Sequence, residues 1–426
     1  MSSTTTNEHK PSILFVDDER NILEGIKRNY RSLRNEYEMN FAESGQEALE
    51  LLTHLPVDVV VSDMRMPVMD GATLLQEVAR VHPETIRIIL TGHSDEELIL
   101  KAVPVTHRFL SKPCTSDDLK QSIDRILMFR DSLHNRSISK FLCGIERLPA
   151  LPMSMQKLQQ EITSTTPSID SVAELVSQDP ALAARILQLA NSAFFGPRQV
   201  LNCPREATLY LGMETVSALA LHVHVFESLV KENSVTVEIL RELQSRSAHV
   251  ADIAYHIALQ MTSSEEVAKE AFAGGLLSEI GKLILALAPE VSTDISKYSK
   301  EERLSSCEAE YLMAGSSHAE IGAYLLVLWG IPANVVNIVA YHHRPSELDG
   351  FRTESVVAVH IAQSLLDIIY EQASPPSMDW SFISSRGFSA RMPEWLNYAL
   401  DCCSVPPDKL QGLLITPLDE KEWNPQ

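Results

Sequence analysis

Ile13-Leu14-Phe15-Val16-Asp17-Asp18-Glu19 is an uninterrupted apolar run that stops abruptly on carboxylates. A continuous run of this kind is the pattern of a strand buried on both faces; a strand with one wet face would alternate. Val57 to Val61 repeats the pattern and stops at Ser62-Asp63. Ile86 to Leu90 stops at Thr91-Gly92, and Arg108-Phe109-Leu110 stops at Ser111-Lys112-Pro113. A weaker strand lies near Met39–Ala42. Between the strands, Leu23, Ile26, Tyr30 and Leu33 share one helical face, as do Leu74, Leu75 and Val78, and again Leu119, Ile123 and Ile126. Five strands alternating with five helices predict a doubly wound parallel sheet.

In such a sheet the carboxyl ends of the strands share one edge, and ligands bind there. The residues at those ends are Asp17, Asp18, Asp63, Thr91 and Lys112. Carboxylate oxygens suit a hard cation such as Mg²⁺, which keeps waters and a phosphate in its shell. An aspartate can also accept a phosphoryl group as an acyl phosphate. The cation and Lys112 would offset the charge on the phosphoryl oxygens, and Thr91 would hydrogen-bond one of them. A single Asp after a strand is ordinary surface chemistry. Complementary groups at four successive strand ends are a site.

Over residues 11–130 the chain resembles the receiver domain of two-component response regulators, a flavodoxin-like fold. The matching stretches are Leu14 to Glu19, Val60-Val61-Ser62-Asp63-Met64-Arg65-Met66-Pro67-Val68-Met69-Asp70-Gly71, Leu90-Thr91-Gly92 and Phe109-Leu110-Ser111-Lys112-Pro113. The resemblance implies that Asp63 is the phosphoacceptor and that Asp17 and Asp18 hold Mg²⁺ with it. It gives the Arg65 position a metal-binding backbone carbonyl, Thr91 and Phe109 the roles of a hydroxyl–aromatic switch pair, and Lys112 the phosphate-pairing ammonium. It also implies a sensor histidine kinase or a phosphotransfer protein as donor.

From residue 131 the pattern becomes helical and stays helical, so an all-α second half is expected. Residues 1–10 read as a polar tail and 131–143 as a linker or connecting helix. Helical stretches are expected over roughly 206–230, 236–261, 266–287, 307–328, 333–342 and 354–370. Residues 144–345 resemble the HDOD domain, a relative of the HD-type metal phosphohydrolases. The resemblance rests on Leu148-Pro149-x-Leu151-Pro152, Gln178-Asp179-Pro180-Ala181-Leu182, Leu189-Ala190-Asn191-Ser192-Ala193, Ala207-x-x-x-Leu211-Gly212, Gly275 to Lys282 and His318-Ala319-Glu320-Ile321-Gly322. Residues 346–426 read as a helical extension that packs back on that domain.

An HD phosphohydrolase holds its metals with a histidine on one helix, a His-Asp pair on the next and further histidines downstream. Here Arg246 stands at the first position and Ser278-Glu279 replaces the pair, leaving His318, His342 and His343. Two-metal hydrolysis needs a bridging carboxylate and enough ligands for both ions. The expectation is therefore a non-catalytic output domain without a cofactor, acting through an unidentified protein target, with the three histidines as hydrogen-bonded core or cleft residues. Two alternatives stay open: a receiver-controlled, metal-dependent phosphodiesterase, and a module that binds a cyclic dinucleotide without cleaving it.

Composition narrows the rest. A net charge of −21 over 426 residues argues against a nucleic-acid or anionic-membrane surface. The six cysteines form no C-x-x-C pair and read as reduced thiols. The polar N-terminus has no apolar leader segment, and no apolar run reaches 18 residues, so a cytoplasmic protein is expected. A homodimer is compatible with the pattern without being required by it.

Overall fold

The computed structural model describes residues 10–31, 36–83, 85–91, 105–112, 116–132, 153–191, 199–231, 237–302, 304–348, 353–370 and 378–405, with the single residues 34, 102, 114 and 197. Contacts divide it into two compact units, one running through Gln156 and one formed by most of the remainder.

The N-terminal unit runs β1 (Ser12–Val16), α1 (Arg20–Asn29), β2 (Glu38–Ala42), α2 (Gly45–His54), β3 (Val59–Asp63), α3 (Gly71–Val81), β4 (Ile86–Thr91), β5 (Arg108–Ser111) and α4 (Ser116–Ser132). The strands form one parallel sheet in the order β2-β1-β3-β4-β5. The expected strands are all present; the expected fourth of five helices falls in 92–101, outside the described residues. β1 and β4 are buried at every residue, which is why each reads as an apolar run, interrupted in β4 by Arg87, whose guanidinium is held by the Pro83, Thr85 and Val105 carbonyls. β2 lies at the sheet edge with only Ala42 buried, which is why its signal is weak. From β1 the chain crosses to β2 on one side and then to β3 on the other, so a crevice opens between the carboxyl ends of β1 and β3. The register aligns Val16 with Ser62, Asp63 with Leu90 and Thr91 with Ser111, which brings the chemically active strand ends level.

The second unit is helical throughout the described residues. Three of its expected helices are each two. The stretch expected at 206–230 is Pro204–Leu211 and Met213–Lys231, separated by Gly212 at φ 87. The one at 307–328 is Ser306–Ala314, which ends on Gly315 in the left-handed region, and then His318–Leu328. The one at 266–287 is Glu265–Leu277 and Ile280–Ala286, with Ser278-Glu279 at the joint. Apolar residues continue across Ser278-Glu279 and hide that break, whereas Gly212 and Gly315 mark the other two as positive-φ helix ends.

Gly281 sets the crossing that matters most. A side chain there would run into the His318 carbonyl, so the Ile280–Ala286 and His318–Leu328 helices meet backbone to backbone. That contact brings Glu279 and His318, 39 positions apart, close enough for His318 to act on the Glu279 carboxyl. The core does not end at residue 345: Val250, Ile253 and Ile257 pack in one cluster with Val359, Leu366 and a fully buried Trp395. The Glu354–Tyr370 helix is buried along nearly all its length and is a central element of this unit. Residues Leu410–Leu414, expected to be helical, lie outside the described residues.

Candidate functional site

At the carboxyl edge of the sheet, Asp17 is buried and Asp18 exposed. Asp17 Oδ1 accepts the Glu19 amide at 2.9 Å, and Asp63 Oδ2 accepts the Arg65 amide at 3.0 Å. Lys112 reaches both carboxylates: its Nζ is ion-paired with Asp63 Oδ1 and lies 3.4 Å from Asp17 Oδ2. Its backbone amide donates to the Thr91 carbonyl at 2.7 Å, which ties β5 to the end of β4 beside the buried Thr91. The Phe109 backbone is in β5, but its side chain is not among those described.

Electrostatics at this edge are lopsided. Burial pushes the Asp17 carboxyl above its usual value, with the Asp63 charge adding to the rise. Burial alone would lower the Lys112 ammonium, but its pairing with Asp63 and Asp17 outweighs that and raises it. Three carboxylates against one ammonium leave negative charge that an oxygen-seeking cation would relieve. The loop that follows holds the backbone tightly. Val68 sits at φ 68 with the Met69 amide donating to the Pro67 carbonyl at 2.7 Å, a strained γ-turn for a β-branched residue. Asp70 caps α3 through the Thr73 amide at 2.7 Å.

The second cluster lies in the helical unit and has two halves. In one, Glu279 is fully buried and heavily engaged. Arg246 Nε lies 3.3 Å from its Oε1, Lys282 Nζ 2.9 Å from its Oε2, and the Gln363 amide donates to Oε1 at 2.6 Å. Arg246 also ion-pairs with Asp367 and donates to Gln363 Oε1 at 3.0 Å, while Gln363 Nε2 donates to Ser278 Oγ at 2.9 Å. Burial alone would raise Glu279; Lys282 and Arg246 outweigh it and hold the carboxyl well below the usual carboxylate range.

In the other half, His318, His342 and His343 present ring nitrogens that all lie within 4.8 Å of one another. His318 Nδ1 donates to Glu310 Oε2 at 2.6 Å, and the same oxygen accepts the His318 backbone amide at 2.7 Å. His342 Nδ1 donates to the Val339 carbonyl at 2.7 Å, and its buried Nε2 has no partner. His343 Nε2 lies 3.0 Å from His318 Nε2. Burial, with the neighbouring His318, pushes His342 down to about 3, and burial with both neighbours pushes His343 well below the ordinary histidine value.

Comparison with known proteins agrees with the two units. The response regulator receiver domain family model matches residues 13–124, and the HDOD domain family model matches residues 148–345. The chain joins a receiver domain to an HDOD domain. The pairing is that of a response regulator with an HD-related output domain. Among curated relatives, the transcriptional regulatory protein GlrR of Escherichia coli (strain K12) is 40% identical over 124 residues, covering 28% of this chain and 27% of that protein. An uncharacterised protein of Treponema pallidum (strain Nichols) is 26% identical over 203 residues, covering 47% of this chain and 38% of its own length. The chain thus spans well under half the length of these curated relatives. Among solved structures, an HDOD domain protein of Geobacter sulfurreducens is 20% identical, with a TM-score of 0.48 over 62% of this chain and 97% of that one.

The receiver residues singled out from strand ends do converge: Asp17, Asp63, Thr91 and Lys112 meet at one sheet edge. In the HDOD domain the structure brings together Arg246, Ser278 and Glu279 as one group and His318, His342 and His343 as another. Sequence reasoning missed Gln363 and Asp367. Both stand on the Glu354–Tyr370 helix, four residues apart, among Val, Ala, Ile and Leu. Polar side chains at i and i+4 on an otherwise buried apolar helix need a partner, and that spacing was the available signal.

Proposed function

We propose that the chain accepts a phosphoryl group on Asp63 from a histidine kinase, a phosphotransfer protein or a small acyl phosphate, and that its HDOD domain transmits the change through protein interaction. The observation that carries this reading is the Lys112 ammonium shared between the Asp63 and Asp17 carboxylates at the open edge of the sheet. Asp17, Asp18, Asp63 and the Arg65 carbonyl would hold Mg²⁺, which when bound offsets charge on the phosphoryl oxygens. An Asp63 carboxylate oxygen attacks phosphorus, the bond to the donor's leaving oxygen or nitrogen breaks, and an acyl phosphate remains. The Arg65 amide, already donating to Asp63 Oδ2, orients the nucleophile. Lys112 follows the added charge, and the Thr91 hydroxyl turns toward a phosphoryl oxygen, vacating space for Phe109.

A phosphodiesterase reading is disfavoured by the engagement of Glu279. The carboxylate that would bridge two metals is already held by Arg246, Lys282 and Gln363. The test is acetyl phosphate labelling of the full chain with Mg²⁺. Wild type should acquire acid-stable, base-labile phosphate and Asp63→Asn should not; equal labelling of both removes the assignment. In parallel, no hydrolysis of a generic phosphodiester or cyclic di-GMP with Mn²⁺ is expected, with or without beryllofluoride. Turnover in that assay overturns the non-catalytic output.

A further inference from the structure

The HD-related fold implies a dinuclear metal centre, and the residues present do not fit one. Where one ion would be expected there is a guanidinium. Arg246 sits between the Glu279 and Asp367 carboxylates, with Lys282 on the far oxygen of Glu279. Two cations there already ion-pair with two carboxylates, and a divalent ion would have to displace Arg246 from a site where its side chain is 11% exposed.

The histidine half is different, because its outer contacts prepare the ring nitrogens for coordination. The Nδ1 hydrogens of His318 and His342 are committed to Glu310 and to the Val339 carbonyl, so Nε2 is the nitrogen that carries the lone pair when each ring is neutral. A carboxylate behind a histidine is the outer-shell arrangement that fixes the tautomer and raises ligand basicity. His342 Nε2 is buried with no partner, an arrangement that costs stability unless something binds it. His343 Nε2 supplies the third donor 3.0 Å from His318 Nε2, and a change of its tautomer frees that lone pair. Tetrahedral coordination at about 2.0–2.1 Å would draw the three nitrogens to about 3.4 Å apart.

We propose that the HDOD domain binds one borderline divalent ion of the zinc class on His318, His342 and His343, with Arg246 standing permanently in place of the second. Three imidazoles favour Zn²⁺, Co²⁺ or Ni²⁺ over Mg²⁺. With no bridging carboxylate available, the ion is mononuclear and stabilises the His318–Leu328 helix against the turn that carries His342 and His343. This departs from the expectation of an output domain without a cofactor, and it is independent of phosphorylation at Asp63.

The test uses the full chain, stripped with chelator, then incubated with Zn²⁺ in excess Mg²⁺ to cover the receiver carboxylates. It is desalted and its metal content measured against His343→Ala handled identically. Wild type should retain one more zinc per chain than the variant. Equal retention overturns the site, and a difference of two ions overturns the role given to Arg246. If His343→Ala loses the wild-type circular dichroism spectrum, Co²⁺ loading of the wild type decides. A strong visible band of a low-coordinate nitrogen site supports the proposal, and only the weak absorption of hexaaqua cobalt refutes it.

Discussion

Replacing Arg246 with Met should destabilise the HDOD domain by about 3 kcal/mol. Breaking a buried ion pair by removing one partner costs about 3–5 kcal/mol, because the other charge is left without compensation. The lower end applies here: Glu279 keeps Lys282 at 2.9 Å and Gln363 at 2.6 Å, and Asp367 retains 14% exposure. Of the four tryptophans (329, 380, 395 and 423), Trp329 groups with the N-terminal unit, so with Trp329 replaced by Phe the remaining fluorescence in urea follows the second unit in the intact chain. With a denaturant slope of about 3 kcal/mol per molar, the midpoint should fall by about 1 M. Adding Glu279→Gln to Arg246→Met should restore part of the loss, with a coupling of about 1.5 kcal/mol. The sign with pH follows from the depressed Glu279 carboxyl. Its contribution is present above the ordinary value of 4.5 and is lost as pH falls below it, so wild type and Glu279→Gln should converge in acid. A midpoint shift under about 0.3 M, or strictly additive variants, would refute the claim that Arg246 fills the position of a metal.

Two further outcomes are expected. Gly71→Ala would drive a methyl group into the Asp63 carbonyl, so the receiver's circular dichroism transition should move to lower urea by the equivalent of about 2 kcal/mol, while tryptophan fluorescence in the same Trp329→Phe background is unchanged; an unmoved receiver transition would show that the β3–α3 loop yields freely. His222 is buried and its pKa is pushed down to about 4, chiefly by burial, so stability of the HDOD domain should decline as pH falls from 6.5 toward 4, at up to about 1.4 kcal/mol per unit. His222→Gln should flatten that slope, and an unchanged slope would assign it to other groups.

The parallel sheet was legible because burial on both faces writes apolar runs, broken in β4 only by Arg87, and because each run ends on polar side chains. Asp17, Asp63, Thr91 and Lys112 could be found from those ends alone, since strand topology converts sequence position into spatial position. Helices carry no such conversion. The break at Ser278-Glu279 was invisible because Leu276, Leu277, Ile280 and Leu283 continue the apolar pattern across it. Asp367 lies 88 positions beyond Glu279 and 121 beyond Arg246, and only the packing of three helices puts them together. The approach of Gly281 to the His318 backbone is likewise a property of the crossing, and a glycine in sequence does not name its neighbour.

Charge at the two carboxylate clusters explains why one asks for a cation and the other does not. At the receiver edge Lys112 pairs with Asp17 and Asp63 beside an exposed Asp18, and the Asp17 carboxyl responds to its burial by rising above its ordinary value. That is the signature of charge held in a site without enough compensation, and Mg²⁺ followed by a phosphoryl group can exploit it. In the HDOD domain Arg246 and Lys282 compensate Glu279 and Asp367, and the Glu279 carboxyl moves the opposite way despite deeper burial. Removing the cation requirement at that half removes the bridging carboxylate from hydrolytic chemistry as well. What the proposal leaves for metal is the imidazole cluster, whose nitrogen donors favour a softer ion than the receiver's carboxylates do. Mg²⁺ and Zn²⁺ should therefore partition between the two domains, and a Zn²⁺-loaded chain should still require Mg²⁺ for labelling of Asp63 by acetyl phosphate.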